Sequence, residues 1–210
     1  MPDAAEELFA GRLPVALRFA EWLAGAGTTR GVVGPREAER LWDRHLLNCA
    51  LVAALVPAGA HVADVGSGGG LPGVVVALAR PDVRVTLIDS MARRTAFLSE
   101  VVADLGLEQQ VAVRRARAEE LALNADAATS RAVADLGTVA SWSAGLVRTG
   151  GILLAMRGGS AHAELAGHAR RIRSAGWQDA EVVERSCAGV TPCLVVRATM
   201  SAGAQRRGPR

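Results

Sequence analysis

A cluster of five glycines within residues 66–73 constrains the fold of this chain more than any other feature. The cluster follows a short apolar segment, 61–65, and precedes a second apolar segment that begins near Pro72. Because glycine has no Cβ, it adopts positive φ at little cost and lets another molecule contact the backbone. The pattern predicts a strand, a tight turn and a helix whose free N–H groups face the turn.

The next apolar segment, 83–89, ends in a carboxylate, Asp89. A strand, a glycine turn, a helix and a second strand with a terminal acid form the first half of a nucleoside-binding α/β fold. A dinucleotide fingerprint would need a third glycine or alanine at the position of Leu71. The spacing therefore favours S-adenosylmethionine over a dinucleotide, with Asp89 accepting hydrogen bonds from the ribose hydroxyls. The alternative is a glycine turn that binds no ligand.

From residue 61 onward, short β-like segments alternate with helical ones and the last two strands follow each other directly. The predicted strands are 61–65, 83–89, 110–114, 126–130, 151–156, 180–186 and 192–199. The predicted helices are 73–80, 91–105, 117–122, 135–147 and 161–175. We therefore predict an α/β fold, the class I S-adenosylmethionine-dependent methyltransferase (Rossmann-like) fold, with a seven-stranded sheet that closes in a β-hairpin.

The N-terminal part has a different rhythm. Apolar residues recur at helical spacing in 2–25, which predicts one or two helices, and in 36–56, which predicts a single helix ended by Pro57. We expect an N-terminal helical extension at 1–57, a methyltransferase domain at 58–200 and a basic disordered tail at 201–210, all within one structural domain.

Composition excludes several classes. Half of the 210 residues are hydrophobic, which is ample for a core, and no apolar run reaches the roughly 18 residues of a membrane span. Three cysteines without a C-x-x-C pair favour reduced thiols in a cytoplasmic protein and argue against a metal site. The net charge of +3, carried on the basic side by arginine alone, permits a nucleic-acid partner.

Three segments together resemble one family. They are Asp64–Gly73 with its Leu-Pro-Gly ending, Leu87–Leu98 with its Asp-Ser pair, and Ser130-Arg131-Ala132. Over about residues 10 to 199 the chain resembles the bacterial 16S rRNA (guanine-N7) methyltransferases, known as RsmG or glucose-inhibited division protein B. The resemblance implies S-adenosylmethionine-dependent methylation of N7 in one guanine of the 530 loop. The family often has Asp-Ser where this chain has Asn48-Cys49.

The resemblance also implies that the cofactor site includes Gly66, Leu71, the pair Ala118-Glu119 and Arg131. The remaining predicted cofactor residues come from the same turn and the second strand: Ser67, Gly68 and Asp89. Arg131 follows the fourth strand, where open α/β sheets bind their ligands, and an arginine there suits a carboxylate or a phosphate. Without the resemblance, Ala118-Glu119 would be interpreted as a helix start and Arg131 as a solvated arginine.

Candidate RNA contacts are Arg93, Arg94 and Arg115, which would form a basic rim with neighbouring arginines, and His45. The alternatives are solvated surface arginines and a histidine packed in the core. The expected partner is 16S rRNA, the small ribosomal subunit or its assembly intermediate, and the protein is expected to act as a monomer.

The fourth strand lacks the Asn/Asp-Pro-Pro-Tyr/Phe box used for exocyclic amines, and no cysteine is placed for attack on a cytosine. Guanine N7 carries a lone pair and no proton, so its methylation needs positioning and no general base. No catalytic residue is therefore predicted. Three alternatives stay open: a class I methyltransferase for another RNA, a protein or a small molecule; a non-catalytic nucleotide-binding protein; and an RNA-binding module.

Overall fold

The computed structural model of the protein describes residues 4–34 and 40–202. Within these residues, seven strands form a single sheet with the order β3-β2-β1-β4-β5-β7-β6. The strands are β1 (His61–Val65), β2 (Arg84–Asp89), β3 (Val111–Arg115), β4 (Ala125–Arg131), β5 (Val147–Arg157), β6 (Trp177–Arg185) and β7 (Cys193–Met200). The first five strands pair in parallel, whereas β7 pairs antiparallel to both β5 and β6.

The chain reverses its direction of travel across the sheet between β1 and β4. From β1 it moves outward through β2 to β3, and it then returns to β4 on the other side of β1. Ligands of open α/β sheets bind at such a switch point, beyond the carboxyl ends of the strands. The ends of β1, β2 and β4 are therefore where a binding site is expected.

Helices cover both faces of the sheet. They are α1 (Ala4–Phe9), α2 (Leu13–Trp22), α3 (Leu47–Ala53), α4 (Gly73–Ala79), α5 (Ala92–Asp104), α6 (Leu136–Ser143) and α7 (Ala161–Ser174). On one face, α4, α5 and the N-terminal extension share a hydrophobic core with the sheet. On the other face, α6 and α7 enclose a second core, in which Trp177 is fully buried and donates to the Ala140 carbonyl at 2.8 Å.

The fold class predicted from the sequence is confirmed, and most element boundaries agree within one or two residues. Three boundaries differ more. β5 begins at Val147 and not at 151, with an irregular register against β4 near Ala125, and α6 accordingly ends at Ser143. β6 begins at Trp177, three residues early. The predicted helix 117–122 is a short 3₁₀ turn, Ala118–Glu120.

The N-terminal extension departs from the prediction of a single helix over 36–56. Residues 36–39 lie outside the described residues, Leu41–Leu46 is π-helical, and α3 ends at Ala53. A second π-helical segment, Leu23–Gly27, continues α2 beyond residue 25, where the first predicted helical region ends. Phe19 and Leu23 are fully buried in the core shared with α4, so the extension belongs to the same packed unit as the sheet.

The predicted basic tail, 201–210, lies outside the described residues from position 203 onward. Of the helices in the described ranges, none combines the length and the apolar character needed to cross a bilayer.

Candidate functional site

The glycine turn is held against the end of β2 by backbone hydrogen bonds. The N–H groups of Gly66 and Ser67 both donate to the Ile88 carbonyl, at 2.9 and 3.0 Å. Gly66 and Gly68 have φ values of +69° and +55°, which residues with a side chain rarely adopt. The turn ends as Gly70 donates to the Ser67 carbonyl at 2.7 Å and the chain enters α4.

Ser67 was predicted to contact the cofactor, and the structure gives its side chain a different role. Its hydroxyl donates to the Asp64 carbonyl at 2.9 Å and accepts from the Ile88 N–H at 3.0 Å. The residue is 1% exposed, and its own N–H and carbonyl are also paired within the fold. Ser67 therefore joins β1 to β2 through its side chain, and its contact with a cofactor stays a prediction.

The glycines of the turn divide into two groups. A Cβ on Gly70 would lie 2.7 Å from Val74 Cγ2, and a Cβ on Gly73 would lie 2.4 Å from Leu87 Cδ2. At Gly69 it would meet Val32 and Leu23 of the extension. These three positions are glycine because the protein packs closely against them.

Gly68 belongs to the other group. A Cβ there would have only the Gly66 carbonyl oxygen within 4 Å, at 3.8 Å, so the residue faces open space above the sheet. A glycine backbone that is open on one side at a switch point is the feature that allows a cofactor to approach the main chain.

Gly66 lies against Val133 in the loop after β4. A Cβ on Gly66 would come within 2.2 Å of Val133 Cγ2, a distance at which one of the two residues would have to move. Val133 was not identified from the sequence. Its position links the glycine turn to the end of β4, which is the strand that carries Arg131.

Asp89 ends β2 directly beside the turn and is 4% exposed. Its Oδ2 accepts from the Gly68 N–H at 3.1 Å and lies 3.4 Å from Arg94 Nη1, and its Oδ1 accepts from the Met91 N–H at 2.9 Å. Each carboxylate oxygen has two lone pairs. One lone pair of Oδ1 is therefore left over among these contacts and can accept from a ribose hydroxyl.

A second carboxylate, Asp64, lies buried beneath the turn and was not assigned a role from the sequence. It accepts from the Thr129 hydroxyl at 3.0 Å and from the Gly73 N–H at 3.1 Å, so it ties β1 to β4 and to the start of α4. Burial raises the pKa of Asp64 to about 6, against the effect of these hydrogen bonds. The neighbouring charge of Asp89 acts in the same direction as burial.

We expect Asp64→Asn to remove a pH dependence of stability. Since the pKa of Asp64 is higher in the folded state, ionisation costs stability as the pH rises from about 4 to 6, and the cost is constant above that range. Between pH 4.5 and 7 the free energy of unfolding of the variant, relative to the unchanged protein, should rise by about 2 kcal/mol. Urea unfolding at the two pH values measures this difference.

Asp82→Asn is the matched control, because Asp82 is paired with Arg80 at the surface and its pKa is lowered well below the ordinary range. The difference in free energy of unfolding between Asp82→Asn and the unchanged protein should vary little between the same two pH values. A similar pH dependence in both variants would contradict the effect assigned to Asp64.

Ala118 and Glu119 lie in the 3₁₀ turn after β3, next to the end of β2, where the Ala116 N–H donates to the Asp89 carbonyl at 3.3 Å. Ala118 is buried and Glu119 is exposed. Leu71 is half-buried and packs on the core at the start of α4. The structure thus brings Gly66, Gly68, Leu71, Asp89 and Ala118-Glu119 to one edge of the sheet, while their contact with a cofactor stays a prediction.

Arg131 also lies at this edge, but its guanidinium points toward the N-terminal extension. Nη2 donates to the Arg44 carbonyl at 3.1 Å and Nη1 lies 3.5 Å from Cys49 Sγ. Asn48, at the position where the family often has aspartate, donates its amide to the Thr191 carbonyl at 3.1 Å. The extension is thereby attached both to β4 and to the loop before β7, and a cofactor contact of Arg131 stays a prediction.

The candidate RNA residues are spread over this edge. Arg93 and Arg115 are exposed. Arg94 contacts Asp89, so it lies next to the predicted cofactor site as well as on the basic rim. His45 is half-buried in the π-helical segment before α3. Their contact with RNA stays a prediction.

A cavity of about 930 Å³ lies beyond the carboxyl ends of β4 and β5. Its walls come from the extension, from the ends of β4 and β5 and the loops after them, from α7, from β6 and from the start of β7 with the loop before it. The lining residues are Arg44, Asn48, 131–135, 156–159, Glu164, His168, Glu184 and 191–194. Val133 lines this cavity and also packs on Gly66, so the cavity and the glycine turn adjoin at this residue. A donor at the turn and an acceptor in the cavity would therefore be neighbours.

Solved structures of methyltransferases share this fold. The chain is similar to the S-adenosylmethionine-dependent methyltransferase SibL, with a TM-score of 0.61 and 20% identity, over 79% of this chain and 57% of that chain. It is also similar to an S-adenosylmethionine-dependent O-methyltransferase from Thermotoga maritima, with a TM-score of 0.57 and 14% identity, over 79% and 70% of the two chains. These likenesses define the fold, which is that of the class I methyltransferases.

The chain belongs to the GidB family, described as rRNA small subunit methyltransferase G, whose model matches residues 12–189. A relative from Mycolicibacterium gilvum is 46% identical over 100% of this chain and 93% of its own length. A relative from Nocardioides is 51% identical over 94% and 80% of the two lengths, and one from Thermobifida fusca is 56% identical over 78% and 69%. The predicted family and cofactor are thereby confirmed.

Among the described residues, no group of three or more histidine, cysteine or acidic side chains is arranged to hold a metal ion.

Proposed function

We propose that this protein methylates guanine N7 in the 16S rRNA of the small ribosomal subunit, with S-adenosylmethionine as the donor. The relatives are each named ribosomal RNA small subunit methyltransferase G, which supports the RNA and the subunit. The observation that carries the proposal is the cavity that adjoins the glycine turn at Val133, because it offers room for an acceptor base beside the donor site.

The cofactor would lie over the carboxyl ends of β1 and β2. The open backbone at Gly68 and the spare lone pair of Asp89 fit the approach of a nucleoside and its ribose hydroxyls. Gly66 and Leu71 flank the turn, Ala118-Glu119 lies on the β3 side and Arg131 on the β4 side. When bound, S-adenosylmethionine supplies an electrophilic methyl group on a sulfonium.

The protein's own task is to position the acceptor. Guanine N7 has a lone pair in the plane of the base and no proton to lose, so the chain needs no group that accepts a proton. The cavity contributes the walls that orient the base.

This role predicts a flat pH–rate profile. We expect kcat for methyl transfer to small subunits to change by less than about twofold between pH 7 and 9, above the range in which Asp64 titrates. Initial rates with saturating donor and acceptor measure it. A steep ionisation near neutrality in kcat would indicate an essential acid or base and would contradict this chemistry.

Deletion of the gene tests the proposal most directly. We expect the small-subunit rRNA of the deletion strain to lack one 7-methylguanosine, and the purified protein with labelled S-adenosylmethionine to restore it on small subunits from that strain. Mapping by cleavage at 7-methylguanosine identifies the base. An unchanged methylation pattern, or a label on protein or on a small molecule, would contradict the proposal.

Methylation rates on acceptors from different stages of subunit assembly identify the natural partner of the protein. We propose the small subunit or its assembly intermediate as the partner, a cytoplasmic location where ribosomes assemble, and action as a monomer. Rates on free 16S rRNA, on assembly intermediates and on mature subunits identify the natural acceptor. Sedimentation of the protein alone and with each acceptor gives the stoichiometry.

A further inference from the structure

Arg157 ends β5 and lines the cavity, with a side chain that is only 5% exposed. Its Nη1 lies 3.4 Å from the Met156 carbonyl, but Nε and Nη2 have no hydrogen-bond partner among the described residues. A guanidinium carries five N–H donors, and a buried donor without a partner is destabilising. Arg157 was not among the residues predicted from the sequence to bind cofactor or RNA.

One carboxylate lies close to Arg157 without satisfying it. Glu164 Oε2 is 3.4 Å from Nε, outside hydrogen-bond geometry, and Glu164 Oε1 is taken by the Ser160 hydroxyl at 2.7 Å. Burial lowers the pKa of Arg157, while Glu164 and Asp135 act in the opposite direction. Glu164 thus balances the charge of the guanidinium, while the N–H donors on Nε and Nη2 could still be paired by an acceptor oxygen of a ligand.

We propose that Arg157 selects the acceptor base by donating a hydrogen bond to O6 of guanine. The inference rests on the proposed function and names the residue that distinguishes guanine from adenine in the cavity. Adenine carries an amino group at this position, which would meet the N–H donors of Arg157 and leave them unpaired. A site built to hydrogen-bond one group rejects analogues that lack it.

The position of Arg157 suits this role better than a contact with the RNA backbone. Phosphates lie on the outside of an RNA and are contacted by exposed arginines, whereas this guanidinium is buried in a cavity large enough for a base. O6 and N7 lie on the same edge of guanine. A single hydrogen bond to O6 therefore leaves the N7 lone pair free for the methyl group.

The test is a double-mutant cycle in which either Arg157 or the O6 atom of the acceptor base is removed. Small subunits are reconstituted with 16S rRNA that carries guanine, inosine or 2-aminopurine at the methylated position. Inosine keeps O6, whereas 2-aminopurine lacks it and keeps N7. We expect Arg157→Met to lower kcat/KM on guanine about 10- to 100-fold and on 2-aminopurine less than about 3-fold, because the lost contact is absent there. Inosine should respond as guanine does.

An equal loss on guanine and 2-aminopurine would overturn the inference, since it would indicate a phosphate contact or a structural role. If the unchanged protein methylates none of these RNAs, the proposed function fails and the inference fails with it. If it methylates guanine and the cycle shows no coupling, the inference alone fails.

Two further variants guard against misfolding. Arg148→Ala is the matched control, because Arg148 lies at the opposite end of β5, half exposed and paired with Asp126, and its kcat/KM should not change. Arg157→Lys repeats the cycle if Arg157→Met fails to fold, and calorimetric titration with S-adenosylmethionine reports an intact donor site. We expect the lysine variant to keep more of the discrimination between guanine and 2-aminopurine than the methionine variant, because an ammonium also donates to O6, and an equal loss of kcat/KM on the two bases would overturn the inference.

Discussion

Gly66→Ala is expected to reduce S-adenosylmethionine binding by at least about tenfold, equivalent to about 1.4 kcal/mol. Two effects combine. Alanine is strained at the φ of +69°, and its Cβ would lie 2.2 Å from Val133 Cγ2. To relieve the overlap, the turn or the loop after β4 has to move, and both border the predicted donor site. Isothermal titration calorimetry measures the affinity, and thermal unfolding measures the accompanying loss of stability.

Gly106→Ala is the matched control for this experiment. Gly106 has nearly the same φ, +66°, but a Cβ there would have nothing within 4 Å, and the residue follows α5 away from the site. It should lose stability from backbone strain alone and keep its affinity for the cofactor. Equal affinities in the Gly66 and Gly106 variants would show that the turn does not bind the cofactor.

Asp89→Asn is expected to weaken S-adenosylmethionine binding by about 10- to 100-fold, because hydrogen bonds to a charged group contribute about 1.5 to 3 kcal/mol. The amide keeps the size of the carboxylate but has one oxygen where two are needed. It would leave either the Gly68 or the Met91 N–H facing an amino group, in addition to a weaker contact with the ribose hydroxyls. Calorimetric titration with the cofactor and with adenosine alone separates the nucleoside contribution.

Asp104→Asn provides the comparison for the loss of one carboxylate. Asp104 accepts from Arg18 and from the Trp22 ring N–H at 2.7 Å each, on the outer end of α5. Its substitution should affect stability and leave the affinity unchanged. The assignment of Asp89 to the ribose would be abandoned if both variants bound the cofactor like the unchanged protein.

Much of the fold could be predicted because its signals are local. The parallel strands are buried on both faces and therefore form continuous apolar runs, and the glycine turn marks the switch from strand to helix. β5 begins earlier than predicted because its first residues, Arg148 to Gly150, are polar or small and exposed. Pairing with β4, which the sequence does not reveal, extends the strand through them.

The site was predictable only in part. Gly66, Gly68 and Asp89 follow from the order of strand, turn and acid, whereas the buried hydroxyl of Ser67 depends on how β1 meets β2. The roles of Val133 and Arg157 depend on contacts with residues that are distant in the sequence. Arg157 nevertheless carried a signal, since it follows the fifth strand just as Arg131 follows the fourth, and the rule that singled out one applies equally to the other.

The close packing of Gly69 and Gly70 against Leu23, Val32 and Phe19 has a consequence for engineering. A truncated protein that starts at residue 58 would lack the surface against which the turn packs. We therefore do not expect such a truncated protein to be active. Chimaeras that exchange the first 57 residues between relatives would have to carry matching residues on both sides of this contact. The N-terminal extension thus holds the conformation of the loop that follows the first strand.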